Sequence, residues 1–220
     1  MSKSGFRCAM VMVAVLSLMG GQALAAPSFL GYTGLMRVPT ADALNQKDYN
    51  LAAFALNLEE GGDSNVYAAN LGVAQGLEVG FARVKPEEGS GETYLNAKYR
   101  FSAETAEQPA VAAGVADFTD EIDTTVYVVM SKAFGHGYQT SLGEITSPRF
   151  HVGVGGGMLS GVFGGVTAVV GDRLMLMVEY DTDDVNVGAR LALSTEIRAD
   201  VGFLDGFDDV GIGLSYNKSF

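Results

Sequence analysis

The chain has 220 residues and a formal charge of −12, from 14 Lys and Arg against 26 Asp and Glu. That balance argues against a nucleic-acid partner, which needs basic patches. Hydrophobic residues make up 48% of the chain, yet no apolar run is long enough for a helical membrane span, which leaves spanning by strands as the way to place so apolar a chain in a bilayer.

The N-terminus reads as a secretory signal peptide, residues 1–25. Lys3 and Arg7 precede an apolar run, Ala9 to Met19, broken only by Ser17, and Ala23-Leu24-Ala25 is a small-x-small cleavage site. Cys8 falls inside this leader, so the mature chain has no cysteine, and neither a disulfide nor a thiol site is expected. Loss of Lys3 and Arg7 makes the mature chain more acidic still.

Residues 26–46 differ from everything after them. Gly31-Tyr-Thr-Gly-Leu-Met-Arg-Val-Pro-Thr-Ala41 does not alternate, and Pro39 with Thr40 predicts a helical turn through Leu44. A free tail would be polar and highly charged; this segment is rich in Gly and apolar groups. Two readings stand level. One is a plug carried by Tyr32, Leu35 and Arg37, with Arg37 close to lumen carboxylates such as Glu179 or Asp200. The other is a lead-in strapped under a barrel by Tyr32 and Leu35.

Residues 47–220 read as strands broken by turn signals: 48–58, 65–74, 76–84, 93–101, 110–118, 124–132, 149–157, 161–170, 173–181, 185–192, 196–204 and 210–220. The fold expected is all-β, a single antiparallel transmembrane β-barrel of about twelve strands, or ten if a weak pair fails. Stretch 133–148 fits poorly, as a strand extension or a periplasmic excursion. Period-2 alternation is clearest late in the chain. Leu174, Leu176, Val178 and Tyr180 oppose Glu179 and Asp181; Val185, Val187, Ala189 and Leu191 oppose Asn186, Gly188 and Arg190; Ile197, Ala199, Val201 and Phe203 oppose Arg198, Asp200 and Gly202. In the fourth strand Leu95, Ala97, Tyr99 and Phe101 oppose Asn96, Lys98 and Arg100. The apolar set suits lipid. Lys98, Arg100, Glu179, Arg190, Arg198 and Asp200 then face the lumen, either selecting a solute or, as favoured here, forming a paired network that fills it. Inward glycines leave room where the wall closes on itself.

The connections give an independent signal. With the N-terminus periplasmic, the odd connections lie outside and hold most of the loop carboxylates, including Glu59, Asp63, Asp120, Asp123, Asp183 and Asp208. The even ones are weakly charged, although 133–148 is long for the side expected to carry short turns. The last strand places Ile212, Leu214, Tyr216 and Phe220 on one parity, with Lys218 near the interface, where it can snorkel. It resembles the closing strand of bacterial outer-membrane barrels, which implies that Tyr216 and Phe220 act as the signal read by the barrel-assembly machinery.

Motifs for chemistry are weak. His136 and His151 are the only histidines, with Ser131, Ser141, Ser147 and Glu144 in the same region, but no G-x-S-x-G elbow singles out a nucleophile, and no enzyme is expected. Asp181-Thr-Asp-Asp184 and Asp205-Gly-Phe-Asp-Asp209 lack EF-hand spacing and read as solvated acidic loops rather than cation sites. Gly153-x-Gly155-Gly-Gly157 lacks the helix of a phosphate loop. No cofactor or metal is expected.

Several stretches resemble the YjbH-like family of outer-membrane proteins, linked with exopolysaccharide biosynthesis: Gly31-Tyr-Thr-Gly34 with Val38-Pro-Thr-Ala41, Leu95-Asn-Ala-Lys-Tyr-Arg-Phe101, Gly161-Val-Phe-Gly-Gly165, and Val178-Glu-Tyr-Asp181 with Asn186-Val-Gly188. The resemblance implies a non-enzymatic envelope protein assisting surface polysaccharide production or export. Its partners would be outer-membrane lipid and lipopolysaccharide, the assembly machinery and polysaccharide-export components. The competing readings are a narrow solute channel, a structural barrel, and a soluble periplasmic β-barrel that binds a ligand.

Overall fold

The computed structural model describes residues 25–59, 62–140, 143–146 and 148–220. The predicted leader up to Leu24, and with it Cys8, lies outside the described residues, as do Ser141 and Ser147.

The chain from Tyr49 onward is strands: β1 (Tyr49–Asn57), β2 (Ser64–Ala74), β3 (Leu77–Pro86), β4 (Glu92–Ser102), β5 (Ala110–Ala116), β6 (Thr125–Ala133), β7 (Tyr138–Thr140), β8 (Gly143–Ile145), β9 (Arg149–Gly155), β10 (Gly161–Val170), β11 (Leu174–Tyr180), β12 (Val185–Ala192), β13 (Ile197–Leu204) and β14 (Asp209–Lys218). The twelve long strands pair antiparallel in chain order, with β6 passing directly to β9, and β14 returns to pair with β1 from Tyr49↔Lys218 to Asn57↔Val210. The sheet is therefore a closed barrel without edges, as backbone in hydrocarbon requires. The awkward stretch 133–148 holds β7 and β8, a short hairpin that joins the wall through the single pair Val170↔Ile145.

The alternation in sequence becomes an inside and an outside. On β6, Val126, Val128 and Met130 are exposed, while Thr125, Tyr127, Val129 and Ser131 are buried. On β11, Leu176, Val178 and Tyr180 face out and Met175, Met177 and Glu179 face in. Val162 is 64% exposed, a value tolerable in water only as an isolated residue, yet it belongs to a continuous apolar band around the wall. Aromatic side chains flank that band. At the short-turn rim Tyr49 packs against Tyr216 and Phe220, Tyr99 against Phe101, and Phe134 against Phe150; at the other rim Phe203 packs against Phe207. An apolar band between aromatic girdles is the outer surface of a transmembrane barrel.

Strand alternation sends the odd connections to one rim, the acidic rim, and the short turns to the other. One acidic loop is tied by its own carboxylate. Asp117 accepts hydrogen bonds from Glu121 N and Thr119 Oγ1 on one oxygen, and from Ile122 N (2.6 Å) and Asp123 N (2.9 Å) on the other. Burial alone would raise its pKa, but these donors override it and hold the carboxyl below its ordinary range.

Two details differ from the sequence reading. Residues 39–44 form no helical turn, because their backbone N–H groups turn to the wall instead: Ala41 N donates to Ser131 Oγ and Leu44 N to Glu78 Oε2. The last strand stops at Lys218, which ion-pairs with Glu196 at 2.6 Å; Phe220 lies beyond it, with its N–H on Asp48.

Two outcomes follow from the wall and the loop. Val201 faces outward at mid-strand, so Val201→Arg is expected to lower stability by about 2–4 kcal/mol in urea unfolding from lipid vesicles. Asp117 has a depressed folded pKa, so its stabilisation of the 117–124 loop is complete above the unfolded value and is lost as pH falls through the lower folded one. Protection factors of the amides in that loop should hold from neutral pH to about pH 5, and should fall below about pH 4; Asp117→Ala should show the low protection at every pH.

Candidate functional site

The lumen is occupied by residues 25–46. The segment starts at the short-turn rim, where Ala25 O accepts from Asn50 Nδ2, climbs to Arg37 at the acidic rim, and returns to the short-turn rim, where Lys47 N donates to Gly72 O. Nearly all of it is buried: Tyr32, Leu35, Met36, Val38 and Ala41 are each 3% exposed or less. Bridges Pro27↔Thr33 and Gly34↔Pro39 pin it into a re-entrant loop.

Such a loop is not helical or paired along its length, so its buried backbone groups need partners from elsewhere. The wall supplies them as side chains. Glu179 is the centre of one set: its carboxylate accepts from Met36 N (3.0 Å), Arg37 N (2.7 Å) and Val38 N (3.2 Å), and from Asn186 Nδ2 (3.1 Å). Three consecutive N–H groups on one anion form a nest, and the carboxylate stands in for the anion that such a concavity binds. Glu78 is the centre of a second set, accepting from Thr33 Oγ1 (2.6 Å), Leu44 N (3.0 Å) and Thr33 N (3.4 Å).

The cations serve the segment's carbonyls. Lys98 Nζ donates to Thr33 O (2.7 Å), to Thr33 Oγ1 and to Thr40 O, and lies 3.6 Å from Glu78. Arg190 bonds Asp200 (2.5 Å) and also the carbonyls of Pro27 (2.9 Å), Gly34 and Leu35. Asn70 Nδ2 donates to Gly31 O (2.7 Å) and Tyr94 Oη to Leu30 O (2.8 Å). On the segment itself Asp42 forms a two-pronged pair with Arg149, which also reaches Glu104 at 2.8 Å.

The inward glycines have a specific role here. A Cβ added at Gly165 would lie 2.6 Å from Leu35 Cδ1; at Gly211, 2.7 Å from Phe29; at Gly202, 2.8 Å from Phe29 and 2.9 Å from Met36 Sδ; and at Gly188 it would collide with the same sulfur. At Gly202 and Gly211 side chains of the segment crowd an added Cβ; at Gly188 and Gly165 a wall carbonyl, Val201 O at 2.7 Å and Val178 O at 3.0 Å, does so as well. Tyr32 completes the packing, its ring 6.0 Å from Tyr127 and its hydroxyl donating to Arg37 O.

The site residues named from sequence fall as follows. Lys98, Glu179, Arg190 and Asp200 all face inward and are buried. Their partners are mainly the segment's backbone rather than each other, with Arg190–Asp200 the one direct pair of 3 Å or less. Arg100 is half-buried and forms no ion pair among the described residues. Arg198 is 8% exposed and its Nη1 is buried without a partner, as is Asp200 Oδ2. Arg37 meets Glu179 through its N–H, but its guanidinium goes to Asp181 at 3.2 Å, two residues further along toward the acidic rim, and not to Asp200. Tyr216 faces outward beside Tyr49.

Glu78, Asp42, Arg149, Asn70 and Tyr94 were missed. Glu78 could have been found: it is the one carboxylate on the inward parity of its strand, with Gly80 and Ala82. Asp42 could not, since a segment without period gives no facing direction.

Ser131 and His151, weighed above for nucleophilic chemistry, do meet: Oγ and Nδ1 are 2.8 Å apart. The hydroxyl already accepts from Ala41 N, and His151 Nε2 faces Thr167 Oγ1 rather than a carboxylate. The trio is a buried polar chain under the segment, without the acid a triad needs. In the acidic loops, Asp181 is used by Asn186, Arg37 and its own loop, and Asp209 by Glu59 N. Hydrogen bonding to Asp205 is the main cause that raises Asp184 above its ordinary range. Among the described residues no group of three or more His, Cys, Asp or Glu is arranged to hold a metal ion.

The closed sheet, the apolar outer band between aromatic girdles and the lumen packed with the chain's own segment define a transmembrane β-barrel of the outer-membrane type. No protein-family model matches the chain, and no curated protein matches it. Among solved structures, two mutant forms of the Rh. blastica porin are similar to it, at 13% and 12% identity with TM-scores of 0.33 and 0.31. Each alignment covers 70% of this chain and 55% of the porin, so the chain spans about half the porin's length.

Glu179 seats the segment by accepting from three consecutive backbone N–H groups. Glu179→Leu would strand three N–H groups, each costing about 1–3 kcal/mol. With Cys8 replaced by Ser, Val38→Cys should be inert to a thiol reagent, and should become reactive when combined with Glu179→Leu; Glu179→Gln, which keeps acceptor oxygen, should lie between.

Proposed function

We propose that this protein is a non-enzymatic outer-membrane barrel closed by its own N-terminal segment, with the acidic rim facing outward, and that it assists surface polysaccharide production or export. The observation that carries the closed state is the lumen itself, where Glu179, Glu78, Lys98 and Arg190 are all committed to the backbone of residues 27–44. A solute-selecting lumen would present those groups to passing solute. The link with polysaccharide rests on the resemblance to the YjbH-like family. The apolar outward band speaks against a soluble periplasmic barrel, since it would leave a large greasy surface in water.

A second reading, a narrow channel, needs the segment to leave. Arg37, at 37% side-chain exposure and paired with Asp181, is the part of the segment nearest solvent at the acidic rim.

Conductance in planar bilayers separates the two. The intact protein should be silent or nearly so. A variant lacking residues 28–44 that still shows heat-modifiable migration should conduct in stable steps. Steady conductance from the intact protein, equal to that of the deletion, would refute the closed state. For the polysaccharide role, loss of the protein should reduce surface polysaccharide, and resupply should restore it; an unchanged yield would remove that part of the proposal.

A further inference from the structure

The outer wall carries one polar anomaly. On β3 the outward parity runs Leu77, Val79, Phe81, Arg83 and Lys85. Arg83 and Lys85 are exposed, and neither forms an ion pair among the described residues; Arg83 Nη1 bonds only Thr93 Oγ1, at 3.0 Å. Every other described cation is elsewhere. Lys98, Arg100, Arg149, Arg190 and Arg198 are inside, Arg37 is at the mouth of the acidic rim with its guanidinium on Asp181, and Lys47, Lys132, Arg173 and Lys218 sit at the short-turn rim. A cation on the lipid side of a barrel is costly unless it reaches the interface or meets an anion.

Directly beside these cations lies an apolar groove of about 440 Å³, open on the outer face and lined by Leu51, Ala69, Leu71, Val79, Phe81 and Leu95. Its origin is a row across four strands, Leu51↔Ala69↔Phe81↔Leu95, in which the small Ala69 leaves a furrow between larger neighbours. The row climbs diagonally from Leu51, beside Tyr49 of the short-turn rim, to Leu95 near the acidic rim, where Phe118 N donates to Leu95 O at 3.0 Å. The next row along the strands is Ala53↔Tyr67↔Arg83↔Thr93. The furrow therefore has the shape and chemistry for a hydrocarbon chain, and its flank presents the positive charge found on this part of the wall.

We propose that this face binds one molecule of the lipid anchor of lipopolysaccharide, a phosphorylated, multiply acylated glycolipid. Its phosphate lies on Arg83 and Lys85, and one acyl chain lies in the furrow over Ala69. The charge complementarity chooses the occupant: a neutral lipid would use the furrow but leave both cations unmatched, against an otherwise acidic rim. The proposal rests on the outward orientation of that rim, not on whether the lumen is closed.

The test uses the full mature chain in mild detergent and native mass spectrometry with defined lipids. Bisphosphorylated lipid A should be retained at one molecule per barrel. Arg83→Gln with Lys85→Gln should weaken retention about tenfold, by loss of two surface cations beside an anionic lipid. Ala69→Phe should weaken it with both cations intact. Heat-modifiable migration checks that each variant is folded, and Arg173→Gln is the control expected to bind normally. Equal retention of lipid A stripped of its phosphates, equal retention of phosphatidylglycerol, or unchanged binding by the double variant would each overturn the proposal. Whole-cell labelling of Asp120→Cys tests orientation separately; no labelling would place the site in the wrong leaflet and overturn it, leaving the conductance result untouched.

Discussion

A strand in hydrocarbon has no water to satisfy its N–H and C=O groups, so the last strand must find the first. That constraint governs this protein. The register from Tyr49↔Lys218 to Asn57↔Val210 closes the sheet, fixes which parity of every strand meets lipid, and thereby creates a lumen. A slip of β14 by one residue at this seam would turn Leu214 and Ile212 inward and Ser215 and Gly213 toward lipid.

Closure then raises a second requirement. Twelve strands enclose more space than their own side chains fill, and the inward side is studded with glycine. Residues 25–46 occupy that space, but their irregular backbone brings unpaired donors and acceptors with it. The wall answers with carboxylates aimed at N–H groups and cations aimed at carbonyls. Side chain meeting backbone, rather than charge meeting charge, is the organising chemistry of the interior. It differs from an ordinary ion-pair network in consequence: removing Glu179 strands three consecutive N–H groups, two of them fully buried, whereas the cations Arg190 and Lys98 each retain other partners.

The wall was legible in the sequence to within a few residues at each strand end, because period 2 with a lipid face leaves little freedom. Strands such as 185–192 and 161–170 coincide with the observed elements. The interior was less legible. Parity places Glu179 and Lys98 in the lumen, yet it cannot say that Glu179 would bond Met36, Arg37 and Val38, since that depends on how a segment without period is folded over. Pro39-Thr40 carries a local signal for a helix start, and tertiary contacts with Ser131 and Glu78 override it. The glycines show the same gap: their inward parity is visible, but the side chains they admit, Phe29, Leu35 and Met36, are not. Asp42 and its pairing with Arg149 were invisible for want of any facing direction.

The central claim is that residues 25–46 sit in the lumen in this register, and one cross-link tests it. Met36 Cγ lies 3.3 Å from the position of a Cβ at Gly202, where the nearest atoms are all side-chain atoms of the segment, close to the sulfur-to-Cβ separation across a disulfide. Met36→Cys with Gly202→Cys should therefore oxidise to a disulfide in native membranes under mild oxidant. Met36→Cys with Val201→Cys, on the opposite face of the same strand, should not. Failure of the first pair in a folded barrel, or equal cross-linking of both, would contradict the account.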